Sequence, residues 1–167
     1  SNYYTLETTR SFPPEVLAEA EEISKMTVTP EDIAQRLDLR DEPIFTIDSA
    51  DAKDLDDAIC VHKTENGYKL GVHIADVSHY VKAKSAIDNE AYRRGTSVYF
   101  ADRVIPMLPP ALSDELCSLA PGAERRSMTA DLFLNDEGEL VRFSLYPALI
   151  RSDARLSYGE ADDILVD

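Results

Sequence analysis

The sequence predicts an α+β fold built mainly from antiparallel strands joined by hairpins, with a few helices flanking them. Two observations carry that expectation. Short runs rich in β-branched and aromatic residues recur between residues 44 and 146, and two pairs of them are joined by hairpin-type connections, at Asn66-Gly67 and at Asn135 to Gly138. Helix signals, by contrast, are confined to the start, one central stretch and the end.

In chain order, residues 1–11 read as a lead-in, with Ser1 and Asn2 the remnant of a tag, and structure is expected from Phe12. Pro13 and Pro14 suit the first turn of a helix, and Glu15 to Ile23 supplies helix formers with an apolar face at Val16, Leu17, Ala20 and Ile23. A second, short helix follows: Thr29 caps it, Pro30 takes its first position, and Ile33 and Ala34 are expected to face inward up to about Arg36. Strand-like runs occupy residues 44–47, 58–62, 68–74, 97–100, 128–134 and 140–146. Between them, Ser85 caps a helix over Ala86 to Arg94, Asp88 stands at the capping-box position, and Gly95 ends it in a left-handed conformation. Ser157 to Leu165 starts another helix.

With 167 residues, of which 44% are hydrophobic, the chain can bury one sizeable core. Cys60 and Cys117 are too few for a disulfide framework and lack zinc-site spacing, so the chain reads as cytoplasmic and reduced. No run approaches the roughly 20 apolar residues of a membrane span, so no membrane partner is expected. The charge is −15, from 32 acidic and 17 basic residues. Such a surface repels phosphate backbones, which argues against a general nucleic-acid-binding module. Two routes remain open to a nucleic-acid function: divalent cations that bridge carboxylates to phosphate, or basic domains elsewhere in the protein.

The most informative segment is Asp48 to Asp57, where Asp48, Asp51, Asp54, Asp56 and Asp57 fall between two strand-like runs. Two like charges about 4 Å apart repel by roughly 4 kcal/mol at a protein surface, so the cluster must be solvated, protonated or metal-bound. Hard oxygen donors in this number suit Mg²⁺, or Mn²⁺. An EF-hand counted from Asp54 fails, because Ile59 stands where glycine is required. From the cluster alone, a solvated acidic turn is the favoured reading, ahead of a metal site.

Longer motifs extend the reading. RLDLRDEPIFTIDSADAKDLDDA (36–58), HIADVSHYV (73–81), RRGTSVYF (93–100), VIPMLPPALSDELCSL (104–119) and ARLSY (154–158) occur in this order. Together they resemble the RNB catalytic domain of the ribonuclease II/R family, in wording closer to its ribonuclease R branch, across residues 12–165. The resemblance implies that residues 12–167 are the N-terminal part of that domain. It also implies a hydrolytic, processive 3′→5′ exoribonuclease that releases 5′-monophosphates from single-stranded RNA.

Carried over by motif, Asp48, Asp54, Asp56 and Asp57 would hold Mg²⁺ (Mn²⁺ possible), with Asp54 and Asp56 catalytic and Asp56 closest to the cleavage step. Asp51 lies outside the pattern. Tyr99 would stack on the last base at the RNA 3′ end, and Tyr158 would help position the RNA. Expected partners are the RNA 3′ end, the rest of the catalytic domain with its phosphate-gripping arginines, and flanking OB-fold domains. Without them the fragment is expected to be inactive.

Other residues read as structural. Lys53 is expected to face solvent. Arg93 and Arg94 suit the end of their helix. His73 and Asp76 would point to opposite faces of a strand, so a shared metal site with His79 is not expected. Pro106 to Pro110 reads as a loop at the channel entrance or, equally, as a rigid connector. The rival functions are a noncatalytic RNB-like RNA-binding or assembly module and a nonenzymatic divalent-cation binder.

Overall fold

The hairpins read from the sequence organise the larger of two compact units, which comprises residues 27–76 and those from 117 onward. The structure is a computed structural model and describes residues 11–49, 51–52, 55–99 and 104–166. Strands β3 (Asp57–Thr64) and β4 (Gly67–Ala75) fold back on each other. β4 then pairs with β7 (Glu124–Asn135), and β7 with β8 (Leu140–Arg151), every pairing antiparallel. Gly67 is required where it stands, because a Cβ there would collide with the backbone carbonyl of Leu134.

Two pairings were not expected. Strand β1 (Leu37–Asp38) lies parallel to β8, and β2 (Phe45–Asp48) lies parallel to β9 (Ala154–Ser157). These strands are too short for their alternation to register in the sequence. The sheet order is β1-β8-β7-β4-β3-β2-β9. Since β1 and β2 sit toward opposite edges, residues 39–44 must cross one face of the sheet as a strap. The face beneath the strap carries Ala58, Cys60, His73, Ser127 and Thr129, all buried. On the opposite face Val61, Ile74, Met128, Phe143 and Leu145 remain exposed, Leu145 at 66%.

Helix α2 (Pro30–Gln35) has the expected cap: Thr29 Oγ1 accepts from Asp32 N, and Asp32 Oδ2 accepts from Thr29 N. Its inward residue differs from expectation. Ile33 and Ala34 are exposed, and Asp32 is turned inward instead. Arg126 explains the reversal: its Nε and Nη2 reach the two Asp32 oxygens at 2.8 and 2.6 Å, and Nη2 also reaches Thr27 O. A helix of six residues makes too little apolar contact to override a buried ion pair. Arg36 continues the network, bonding Asp76 at 2.7 Å and the Ser127 carbonyl at 3.2 Å.

The smaller unit holds the described residues up to 26 and residues 77–116. It contains α1 (Pro14–Ser24), α3 (Val77–Tyr80), α4 (Ala86–Arg94), the β5 (Val98–Tyr99) and β6 (Val104–Ile105) pair, and a π-helical turn at Ala111–Leu116. Of the expected α1 face, Val16 and Ala20 are buried, whereas Leu17 is half exposed. Ser85 caps α4 through Asp88 N and Gly95 closes it at φ 76°, as read from the sequence, although the Asp88 carboxylate accepts from Lys84 N. Arg94 is structural: it packs on the Phe12 ring at 3.8 Å and donates to the carbonyls of Ser11 and Pro106. Arg93 reaches Glu90.

Candidate functional site

The acidic segment bridges the end of β2 and the start of β3. Phe45 pairs with Ile59, so the pleat sends Thr46 and Asp48 to the strap face of the sheet. Thr46 is fully buried, and Asp48 is half-buried with its Oδ2 shielded from solvent. Asp57 opens β3 on the other face, beside Ile59 and Val61, and is exposed, as is Asp56. Asp54, Lys53 and Ala50 lie outside the described residues. Asp48, Asp56 and Asp57 do not form a compact ligand set by themselves: among the described residues, the three-residue cluster with ligand atoms within 4.8 Å of one another is Glu42, Cys60 and His62.

What the structure adds is the frame that holds this segment. Arg155, on β9, donates from Nη2 to the carbonyl oxygens of Ser49 at 3.1 Å and Ala52 at 2.6 Å. Ala52 N closes a turn onto Ser49 O, with Asp51 exposed within it. Farther along, Leu55 is buried at 2% exposure, its N–H donates to Ser118 Oγ, and its carbonyl accepts from Leu119 N. Arg125 fixes that support by donating to the Ser118 carbonyl at 2.8 Å. The segment is thus held by β2, Arg155, Leu55 and β3 in succession, while Asp51, Asp56 and Asp57 remain open to solvent. Sequence reasoning missed Arg155, Leu55 and Ser118 as anchors. The one available signal was the arginine inside ARLSY.

Burial sets the electrostatics nearby. It pushes the Cys117 thiol up to about 11, an effect that Arg125 opposes and Asp56 reinforces. Cys117 is therefore an inert core thiol. Burial lowers His73 to about 4, against the smaller pull of Asp131 and Glu42, which keeps its ring neutral at neutral pH. His73 Nδ1 lies 2.8 Å from Thr129 Oγ1, Asp76 is committed to Arg36, and His79 meets the Tyr80 ring edge-on at 5.3 Å. The ion pair with Arg36 therefore accounts for Asp76 and ring packing for His79, while His73 is anchored through Nδ1.

Of the two expected RNA contacts, Tyr158 follows Ser157, which is paired with Asp48 across the parallel β2–β9 ladder. The ladder therefore sets Tyr158 at the same end of the sheet as the acidic segment, and the residue is 64% exposed. Tyr99 lies on β5, paired with Val104, in the smaller unit.

The RNB domain family matches residues 36–167. Ribonuclease R of Thermotoga maritima is 52% identical over 157 residues, covering 93% of this chain and 22% of its own length. The structure of Mycoplasma genitalium ribonuclease R in complex with ribose-methylated single-stranded RNA superposes with a TM-score of 0.84 at 35% identity, over 96% of this chain and 26% of that one. A yeast pseudonuclease superposes at 0.74 with 26% identity, over 84% of this chain and 18% of its own. The chain spans about a quarter or less of the curated relatives it matches. A match over residues 36–167, with relatives aligned across nearly the whole chain, makes this chain a member of the RNB domain family.

Proposed function

We propose that this chain is the N-terminal part of the catalytic domain of a cytoplasmic, hydrolytic and processive 3′→5′ exoribonuclease. Its substrate is single-stranded RNA, and its products are 5′-nucleoside monophosphates. The observation that carries the reading is the solvent-open acidic segment, pinned by Arg155 and Leu55 between two strands of an RNB fold. A solvated acidic turn needs no such anchoring.

Asp48, Asp54, Asp56 and Asp57 are the residues that would hold Mg²⁺, or Mn²⁺, and their all-oxygen donor chemistry fits such an ion. Bound there, the ion supplies Lewis-acid polarisation of the phosphate and a water of lowered pKa. In this reading Asp54 and Asp56 serve the cleavage step, Asp56 most directly. Tyr158 lies along the RNA near the catalytic end and Tyr99 stacks on its terminal base, contacts that are indifferent to sequence. A net charge of −15 means that basic residues elsewhere in the full-length protein must grip the backbone. The exposed apolar sheet face, with Phe143 and Leu145, offers the remainder of the domain a surface to cover. OB-fold domains then supply the hold on single-stranded RNA.

The test is Asp56→Asn in the full-length protein, which abolishes monophosphate release while RNA binding persists; unchanged turnover removes Asp56 from the mechanism. The fragment alone should bind Mg²⁺ weakly and release no monophosphate at a useful rate, and robust Mg²⁺-dependent release by it would contradict that expectation. The likeness to a pseudonuclease favours a second reading, a noncatalytic RNB module for RNA binding or assembly. Full-length protein that binds RNA but never degrades it in Mg²⁺ or Mn²⁺ would support that alternative.

A further inference from the structure

The strap over the sheet brings together a set of donors that the nuclease chemistry does not use. Cys60 and His62 stand two residues apart on β3 and so project to the same face, beneath the strap residue Glu42. His62 Nε2 is 2.7 Å from Glu42 Oε2 and 3.2 Å from Cys60 Sγ, and the three ligand atoms all lie within 4.8 Å of one another. Ligand atoms around a tetrahedral ion with bonds of 2.0–2.3 Å stand about 3.3–3.8 Å apart, so small adjustments bring this set onto one centre.

A second, independent feature faces the same small cavity, about 20 Å³ in volume, which suits one ion or water and excludes an organic ligand. His73 lines it and is 2% exposed, and its Nε2 is buried with no hydrogen-bond partner. The proton positions follow from the chain of bonds behind it. Ser127 Oγ donates to the Ala148 carbonyl, so it accepts from Thr129, and Thr129 Oγ1 in turn accepts from His73 Nδ1. Nε2 is therefore left with a lone pair, the arrangement in which ligating histidines are held by their outer partners. Gly71 makes the room: a Cβ there would stand 3.1 Å from His73 Nε2. The cavity wall also holds Lys69 3.8 Å from Asp131, so with Glu42 the formal charge leaves room for a cation.

We propose that Glu42, Cys60 and His62 form a site for a borderline transition-metal ion of the Zn²⁺ type, with His73 Nε2 completing it directly or through a water. Thiolate and imidazole donors select such an ion over Mg²⁺, which separates this site chemically from the aspartates. Glu42 belongs to the strap and the other donors to the sheet, so the ion acts as a clip that ties residues 39–44 to β3 and β4. The site stands whether or not the chain is part of a nuclease.

Co²⁺ titration of the chain in excess Mg²⁺ tests it. One equivalent should bind with tetrahedral visible bands and a thiolate-to-cobalt charge-transfer band, and Zn²⁺ should displace it and raise the melting temperature. Cys60→Ser should remove the charge-transfer band, whereas Cys117→Ser and Asp56→Asn keep it. His62→Gln and Glu42→Gln, at half-exposed side chains that the fold tolerates, should each weaken Co²⁺ binding at least ten-fold. Absence of a thiolate band in the wild-type chain overturns the proposal. So does a band that survives Cys60→Ser or disappears with Asp56→Asn, or an affinity left unchanged by His62→Gln. A melting temperature that falls in His62→Gln but never responds to Zn²⁺ reduces the cluster to an ion pair and also overturns it.

Discussion

Arg155 Nη2 lies 2.6 Å from the carbonyl oxygen of Ala52, and the same nitrogen reaches Ser49 at 3.1 Å, so one guanidinium gathers both ends of the turn that begins the acidic segment. A charged donor on a carbonyl contributes about 1.5–3 kcal/mol, more than an exposed turn supplies for itself. Arg155→Met keeps the stem and removes the donors. It should leave the sheet intact while lowering Mn²⁺ affinity about ten-fold, equivalent to ~1.4 kcal/mol. Calorimetric titration checks this, with circular dichroism as the control for folding. Wild-type affinity in Arg155→Met would separate the arginine from the metal site.

Leu55 anchors the other end of the segment. Its side chain is buried, and its N–H is satisfied by Ser118 Oγ. Leu55→Ala should destabilise the chain by about 2–5 kcal/mol, the range for a buried leucine truncated to alanine. Ser118→Ala should cost about 1–3 kcal/mol by leaving that N–H without its acceptor. Urea denaturation measures both. A Ser118→Ala penalty well below Leu55→Ala, with equal loss of Mn²⁺ binding, would assign the metal effect to loop position and not to global stability.

The hairpins were legible because their information is local: Asn66-Gly67 and Asn135 to Gly138 are turn chemistry, and the runs beside them are rich in β-branched and aromatic residues. Ser85 and Gly95 were legible for the same reason, as caps recognised from neighbours. The failures all involve partners distant in sequence. Nothing near Asp32 announces Arg126, 94 residues away, so an inward Ile33 was the better local guess. Arg155 meets a turn more than 100 residues earlier, and the parallel β2–β9 ladder that brings it there joins segments with no shared periodicity. The aspartates were visible as a cluster, but the pleat that divides Asp48 from Asp57 appears only once β2 and β3 are paired.

The pair of Asp32 and Arg126 gives acid sensitivity with a defined sign. Hydrogen bonds from Arg126 hold the Asp32 carboxyl far below its ordinary value of 3.8, against the opposing effect of burial. The unfolded chain therefore takes up the proton first as pH falls. The stabilisation is complete above about pH 4 and is lost progressively below it. Asp32→Asn leaves Arg126, 3% exposed, without its counter-charge and should cost about 3–5 kcal/mol at pH 7. The gap between wild type and variant in urea should narrow at pH 3. A gap of constant size across that range would mean that shape, not charge, is what Asp32 contributes.

Tyr158 offers the test that joins the fold to the proposed chemistry. The residue is 64% exposed, so truncating it takes little from the core, and its backbone begins α5 (Tyr158–Val166) directly after the residue paired with Asp48. A ring in that position can stack on a base, an interaction of about 1–3 kcal/mol for each base lost on truncation. Tyr158→Ala in the full-length protein should therefore weaken binding of a short single-stranded RNA roughly 5- to 150-fold, leave Mn²⁺ affinity unchanged and shift the melting temperature little. Tyr158→Phe, which retains the stacking face, should restore most of the binding. If Tyr158→Phe were as defective as Tyr158→Ala, the hydroxyl would be the contact and the stacking role would fall; if neither variant altered RNA binding, the tyrosine would have no part in holding the substrate.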